Sequence, residues 1–150
     1  MALQAKDLMI GDLLTFEDCV KDGKIIPIEV VELHGYNNDF LASIDGDKSC
    51  DMLEFDDEIV GIPLTPEILE KNGFRKRPYP NVEKHHQWIF CAGCTITLWC
   101  CRLFDNADEG WMIDIDDAFC HSCRVHIKHL HELQHALKLC KIDKEIKLWN

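Results

Sequence analysis

No stretch of this 150-residue chain stays apolar for the ~20 residues that a helix needs to cross a bilayer, so a helical membrane span is excluded. The opening Met1-Ala-Leu-Gln-Ala-Lys6 lacks the basic-then-apolar order of a secretion signal, and the protein is expected to be cytoplasmic. Basic residues are scarce. Sixteen Lys and Arg face 27 Asp and Glu, a net charge of −11, which argues against nucleic acid as a partner because phosphate-backbone binding needs a surplus of cations. Also missing are a nucleotide-binding loop, a lipase-type serine motif and a Cys-His-Asn arrangement, so no complete catalytic constellation is present.

What is there suffices for a folded core. Hydrophobic residues make up 47% and charged residues 29%, and the length suits one domain of ordinary size or two very small ones sharing a core. The acidity is lopsided: residues 1–70 hold 17 carboxylates against 4 cations, whereas residues 71–150 hold 10 against 12. An acidic patch of this kind steers basic partners or imitates nucleic acid; its ordinary reading is a solvated surface. Nine cysteines, an odd number without a secretion signal, read as reduced thiols or metal ligands and not as a disulfide framework.

Turn signals divide the first sixty residues into short strands. Leu8–Phe16, entered through Gly11-Asp12, and Lys24–Leu33, Phe40–Ile44, Met52–Phe55 and Glu58–Ile62 are set off by Asp22-Gly23, His34-Gly35 and Asp45-Gly46, a pattern that predicts a small, bent, barrel-like antiparallel part over residues 1–74. A short helix closes it: Thr65 caps, Pro66 takes the first helical position, Glu67 complements the dipole and Gly73 ends it. Arg75-Lys-Arg-Pro-Tyr-Pro-Asn81 reads as an exposed connector, whose cations could touch a ligand phosphate but are more simply solvated. Residues 82–150 then predict an antiparallel sheet from His86–Cys91, Thr95–Phe104 and Gly110–Asp116, with Arg124–Lys128 as a fourth strand or the start of helix. Leu130, Leu133, Leu137 and Cys140 form the apolar stripe of a C-terminal helix. The expected class is α+β.

Two constellations could carry chemistry. Cys91-Ala-Gly-Cys94 and Cys120-His-Ser-Cys123 have the spacing of a four-thiolate zinc ribbon, with His121 and His126 as possible substitutes; one structural zinc ion, or none, is the expected cofactor. The free use of cysteine elsewhere (Cys19, Cys50, Cys100, Cys101, Cys140) speaks for small buried hydrophobes instead. The second is His131-Glu-Leu-Gln-His135, the zinc-hydrolase pattern in which two histidines bind metal and Glu132 activates water. On a helical wheel His131 and His135 fall roughly 140–180° from the leucine stripe and are expected to face solvent. No third ligand follows at suitable spacing. His85-His86 and the Asp114, Asp116, Asp117 group have the ordinary readings of a strand edge and a solvated face.

Three segments together, Leu8-Met-Ile-Gly-Asp12, Ile62–Phe74 and His129–Cys140, resemble a group of short uncharacterised proteins common in genomes, prophages and phages of gut Bacteroidota. That resemblance implies a small α+β protein without an established enzyme reaction, and a structural role for the helix at 130–140. The expected function is a non-enzymatic interaction module of phage or mobile-element origin, binding an unidentified host or phage protein. One version is an acidic inhibitor of a defence or nucleic-acid enzyme. A zinc-stabilised binding module and an HExxH hydrolase are the alternatives.

Overall fold

Antiparallel pairing organises the chain. The structure is a computed structural model that describes residues 3, 7–34, 39–47, 49–54, 58–79, 82–92, 94–100, 110–116 and 122–148. Among these are ten strands in two five-stranded antiparallel sheets and three short helices, so the mixed α+β class holds, with strands in the majority. No helix among the described residues is long and apolar enough to cross a membrane. Two compact units divide the chain, Met1–Pro63 with His129–His135, and Leu64–Lys128 with Ala136–Asn150.

The first unit holds β1 (Leu13–Phe16), α1 (Glu17–Lys21), β2 (Ile28–His34), β3 (Asp39–Ile44), β4 (Cys50–Glu54) and β5 (Ile59–Gly61), with sheet order β4-β3-β2-β1-β5. Barrel closure would need the outer strands β4 and β5 to pair, and no such ladder exists among the described residues; the barrel-like expectation gives way to an open sheet. The strand expected from Leu8 begins only at Leu13. Before it, the Asp12 carboxylate accepts the Met9 N–H at 2.7 Å and Gly11 takes φ +85°, which makes residues 9–12 a turn. Leu14, Ile28, Val30, Phe40, Ala42 and Ile59 fill the inner face with Leu8. A bulge at Val31 shifts the β2–β3 register, so that Glu29 and Glu32 both lie on the outer face. Helix α1 was not expected: its N-cap position is Phe16, which has no side-chain acceptor to announce a start.

The second unit contains α2 (Pro66–Lys71), β6 (Arg75–Tyr79), β7 (Val82–Cys91), β8 (Thr95–Cys100), β9 (Trp111–Asp116) and β10 (Ser122–Ile127), in order β10-β9-β8-β7-β6. Thr65 Oγ1 accepts the Ile68 N–H at 3.4 Å, so α2 starts where its cap predicted. The connector expected over 75–81 is instead mostly strand. Arg75 to Pro78 pair with Ile89 to His86, and Pro78 is accommodated because β6 is an edge strand with a register shift beside it. The division after Pro63, in place of the 74/75 boundary, follows from two bonds: Leu64 N–H donates to Lys128 O at 3.1 Å, and the Trp111 indole donates to Leu64 O at 2.8 Å. Buried Asn72 donates to Lys147 O and accepts the Lys147 N–H, tying the C-terminal segment to the end of α2.

Helix α3 (Leu130–Leu139) is the expected C-terminal helix, and Leu130, Leu133 and Leu137 are buried as its stripe predicts. Its residues through His135 belong to the first unit and those from Ala136 to the second.

Candidate functional site

The His131-Glu-Leu-Gln-His135 segment occupies the first turns of α3, and each of its polar side chains meets the first unit. Glu132 stands three residues after His129, the spacing of a capping box, and its Oε2 accepts the His129 N–H at 2.8 Å. His135 Nε2 lies 2.7 Å from Oδ2 of the fully buried Asp12. Gln134 acts like a stretch of strand backbone: its amide oxygen accepts the Leu13 N–H at 3.0 Å and its nitrogen donates to Gly11 O at 2.9 Å. The Leu130 N–H donates to Ile62 O, and Pro63 and His129 form an isolated bridge, which lands the start of the helix just beyond β5.

His131 corrects the helical wheel. It is 4% exposed, its ring stacks on His129 with centroids 5.6 Å apart, and His135 lies edge-on at 5.8 Å. The wheel treated the helix as having one covered side; here the segment before β1 and strand β5 cover the polar side as well. Gly61 makes that possible, because a Cβ there would stand 2.6 Å from His129 Cγ and 2.8 Å from His131 Cε1. Burial holds the His131 imidazole down to about 4, below the ordinary 6.5, outweighing the opposing pull of Glu132. Its Nδ1 is buried and has no hydrogen-bond partner among the described residues, which suits a neutral ring.

This geometry differs from hydrolase chemistry at the glutamate. A water-activating glutamate must face the metal, whereas Glu132 turns back onto the helix start. His135 is oriented through Nε2 by Asp12, an arrangement that metal-binding histidines also use with the other ring nitrogen as the ligand. No group of three His, Cys, Asp or Glu side chains converges as a metal site among the described residues.

The cysteine pairs lie in the second unit. Cys91 is exposed at the end of β7, Cys94 is half-buried just before β8, and both are free thiols. Cys120 and His121 lie outside the described residues. Cys123 sits on β10, in register with Ile115 of β9, so β8 and β9 intervene between the strands of Cys91 and Cys123. At about 4.8 Å per strand that separation is roughly 14 Å in a flat sheet. The two hairpin ends nonetheless share one end of the sheet, through the register Cys91, Thr95, Asp116, Ser122. Asp114 and Asp116 lie on β9, and Arg124 Nη2 pairs with Asp114 at 3.2 Å; Asp117 is outside the described residues.

Asp12, Gln134 and Gly61 escaped the sequence reading as site residues. Gly11-Asp12 signalled only a turn, and Gln134 lay between the motif histidines. The one available signal was the three-residue step from His129 to Glu132, which spells a helix cap as readily as a catalytic pattern. No protein-family model, curated protein or solved structure matches the chain.

Proposed function

We propose that the protein is a non-enzymatic interaction module that docks a basic protein partner on the outer face of its first sheet. The observation that carries this reading is the composition of that face. Register places Glu29, Ser43 and Cys50 in one row and Glu32, Leu41 and Met52 in the next. Met52 is 53% exposed and Val31, lifted by the bulge, 36%, between two exposed glutamates. Apolar anchors ringed by charge of one sign are what a specific protein contact uses: the apolar area supplies affinity and the charge selects and steers a partner of opposite sign. The −13 balance of residues 1–70 adds long-range attraction for a cation-rich surface. The turn of Glu132 back onto the His129 N–H speaks for this reading over the hydrolase alternative. Together with the phage-associated resemblance, this favours an acidic inhibitor that occupies the basic groove of a host or phage enzyme.

The test is capture from host lysate on immobilised wild type and on a Glu29→Gln/Glu32→Gln/Met52→Ser variant, at low and at high salt. A protein held by wild type at low salt, released at high salt and not held by the variant supports the reading. Equal capture by both proteins overturns it.

A further inference from the structure

A second surface, in the second unit, has the opposite character. Helix α2 ends at Gly73, whose φ of +79° turns the chain into edge strand β6. Arg75 and Arg77 alternate onto one face of β6, opposite Ile89 and Gln87 of β7, while Lys76 reaches over the Trp88 ring at 5.9 Å. Beside them is a cavity of about 370 Å³ lined by Gly73, Arg75, Arg77, Ile89, Phe90 and Cys91. Phe74 holds the Phe90 ring at 5.1 Å. Lys144 Nζ stands 5.2 Å from the centroid of that ring and 3.9 Å from where a Cβ on Gly73 would be. Three cations thus border one cavity that, among the described residues, no carboxylate lines.

In a chain with 27 carboxylates and 16 cations this is unexpected. Arg124 and Lys21 both have carboxylate partners, yet among the described residues Arg75, Arg77 and Lys144 form no ion pair. Cations on an edge strand deter sheet-to-sheet pairing, which explains their exposure. It does not explain a concave, half-apolar wall between them. Guanidinium forks bind phosphate oxygens in pairs, and a third cation suits a dianion better than a single-charged carboxylate. The volume exceeds what inorganic phosphate fills and lies within the range of small-ligand sites.

We propose that this cavity binds a small phosphate ester, its phosphate held by Arg75 and Arg77 with Lys144 at the margin and its organic part against Ile89 and Phe90. Cys91, an exposed thiol in the same wall, reports occupancy.

Phenyl phosphate, inorganic phosphate and benzoate are the probes, titrated into the full chain by calorimetry, with iodoacetamide labelling of Cys91 followed by peptide mass mapping. Phenyl phosphate should bind more tightly than either of the others. Arg75→Gln and Arg77→Gln should each weaken it roughly tenfold. Bound phenyl phosphate should slow labelling of Cys91 and leave exposed Cys50 in the first unit unaffected, a readout on wild type that does not depend on the variants folding. Unchanged affinity in the folded double variant, or equal slowing at Cys50, overturns the site. Inorganic phosphate binding as tightly as phenyl phosphate overturns the ester assignment, and benzoate doing so overturns the phosphate.

Discussion

The start of α3 and the β6 edge are two places where polar side chains cluster, and they differ in what surrounds them. At the helix start Glu132, Gln134 and His135 have protein partners and His131 is buried among them. At β6 the cations are exposed, and Arg75 and Arg77 line an open cavity. A sequence motif with catalytic spelling fastens the helix start to the first sheet through its polar side chains, while a run that resembled a solvated linker lines a cavity. The lesson is that residue types state which chemistry is available, and packing decides which of them is free to do it.

Gly61→Ala should break the first region hardest. Its Cβ would overlap the His129 and His131 rings, and because a strand and a helix start meet there neither backbone yields freely. The expected loss is about 3 kcal/mol in denaturant unfolding; an unchanged midpoint would mean that the rings do not pack on β5.

Acid should reveal the same packing. The unfolded chain binds a proton at His131 near the ordinary 6.5, the folded chain only near 4, so stability is full above 6.5, falls between these values and levels off below. Asp12, His129, Glu132 and His135 surround the ring, so the step is best isolated as the difference from His131→Leu across the same pH range. The step should approach about 3 kcal/mol, and parallel curves for the two proteins would show that the ring is solvated.

Two buried side-chain amides offer a like-for-like comparison across the units. Gln134→Ala leaves Gly11 O and the Leu13 N–H without their partner, and Asn72→Ala does the same to Lys147. Each should cost about 2 kcal/mol. A much smaller cost at Asn72 would show that water replaces it near the C-terminus. Smallest of all should be Arg75→Gln/Arg77→Gln, within about 0.5 kcal/mol of wild type by melting, because both side chains are exposed and have no ion-pair partner among the described residues. A larger loss would make those arginines structural and sharpen the contrast in the other direction.

Local rules carried most of the element positions. Alternation and turn pairs located β3, β4, β5 and β9 to within a few residues, and the Thr65-Pro66 cap with Gly73 placed α2. They failed where a local signal had two meanings. Pro78 among cations spelled a linker, yet an edge strand accepts both proline and charge because one of its sides faces no ladder. Phe16 carried no cap, so α1 had no start signal.

By itself the sequence determined the α+β class, the acidic first half, the cap of α2 and the leucine stripe of α3, because each depends on neighbours within a few residues or on a simple sum of charges. Only the tertiary structure decided that the first sheet stays open, that β6 completes the second, and that the polar side of α3 is covered. The last of these depends on contacts between residues more than a hundred positions apart, Asp12 with His135 and Gly11 with Gln134. No periodicity within a helix records what a distant strand will lay against it.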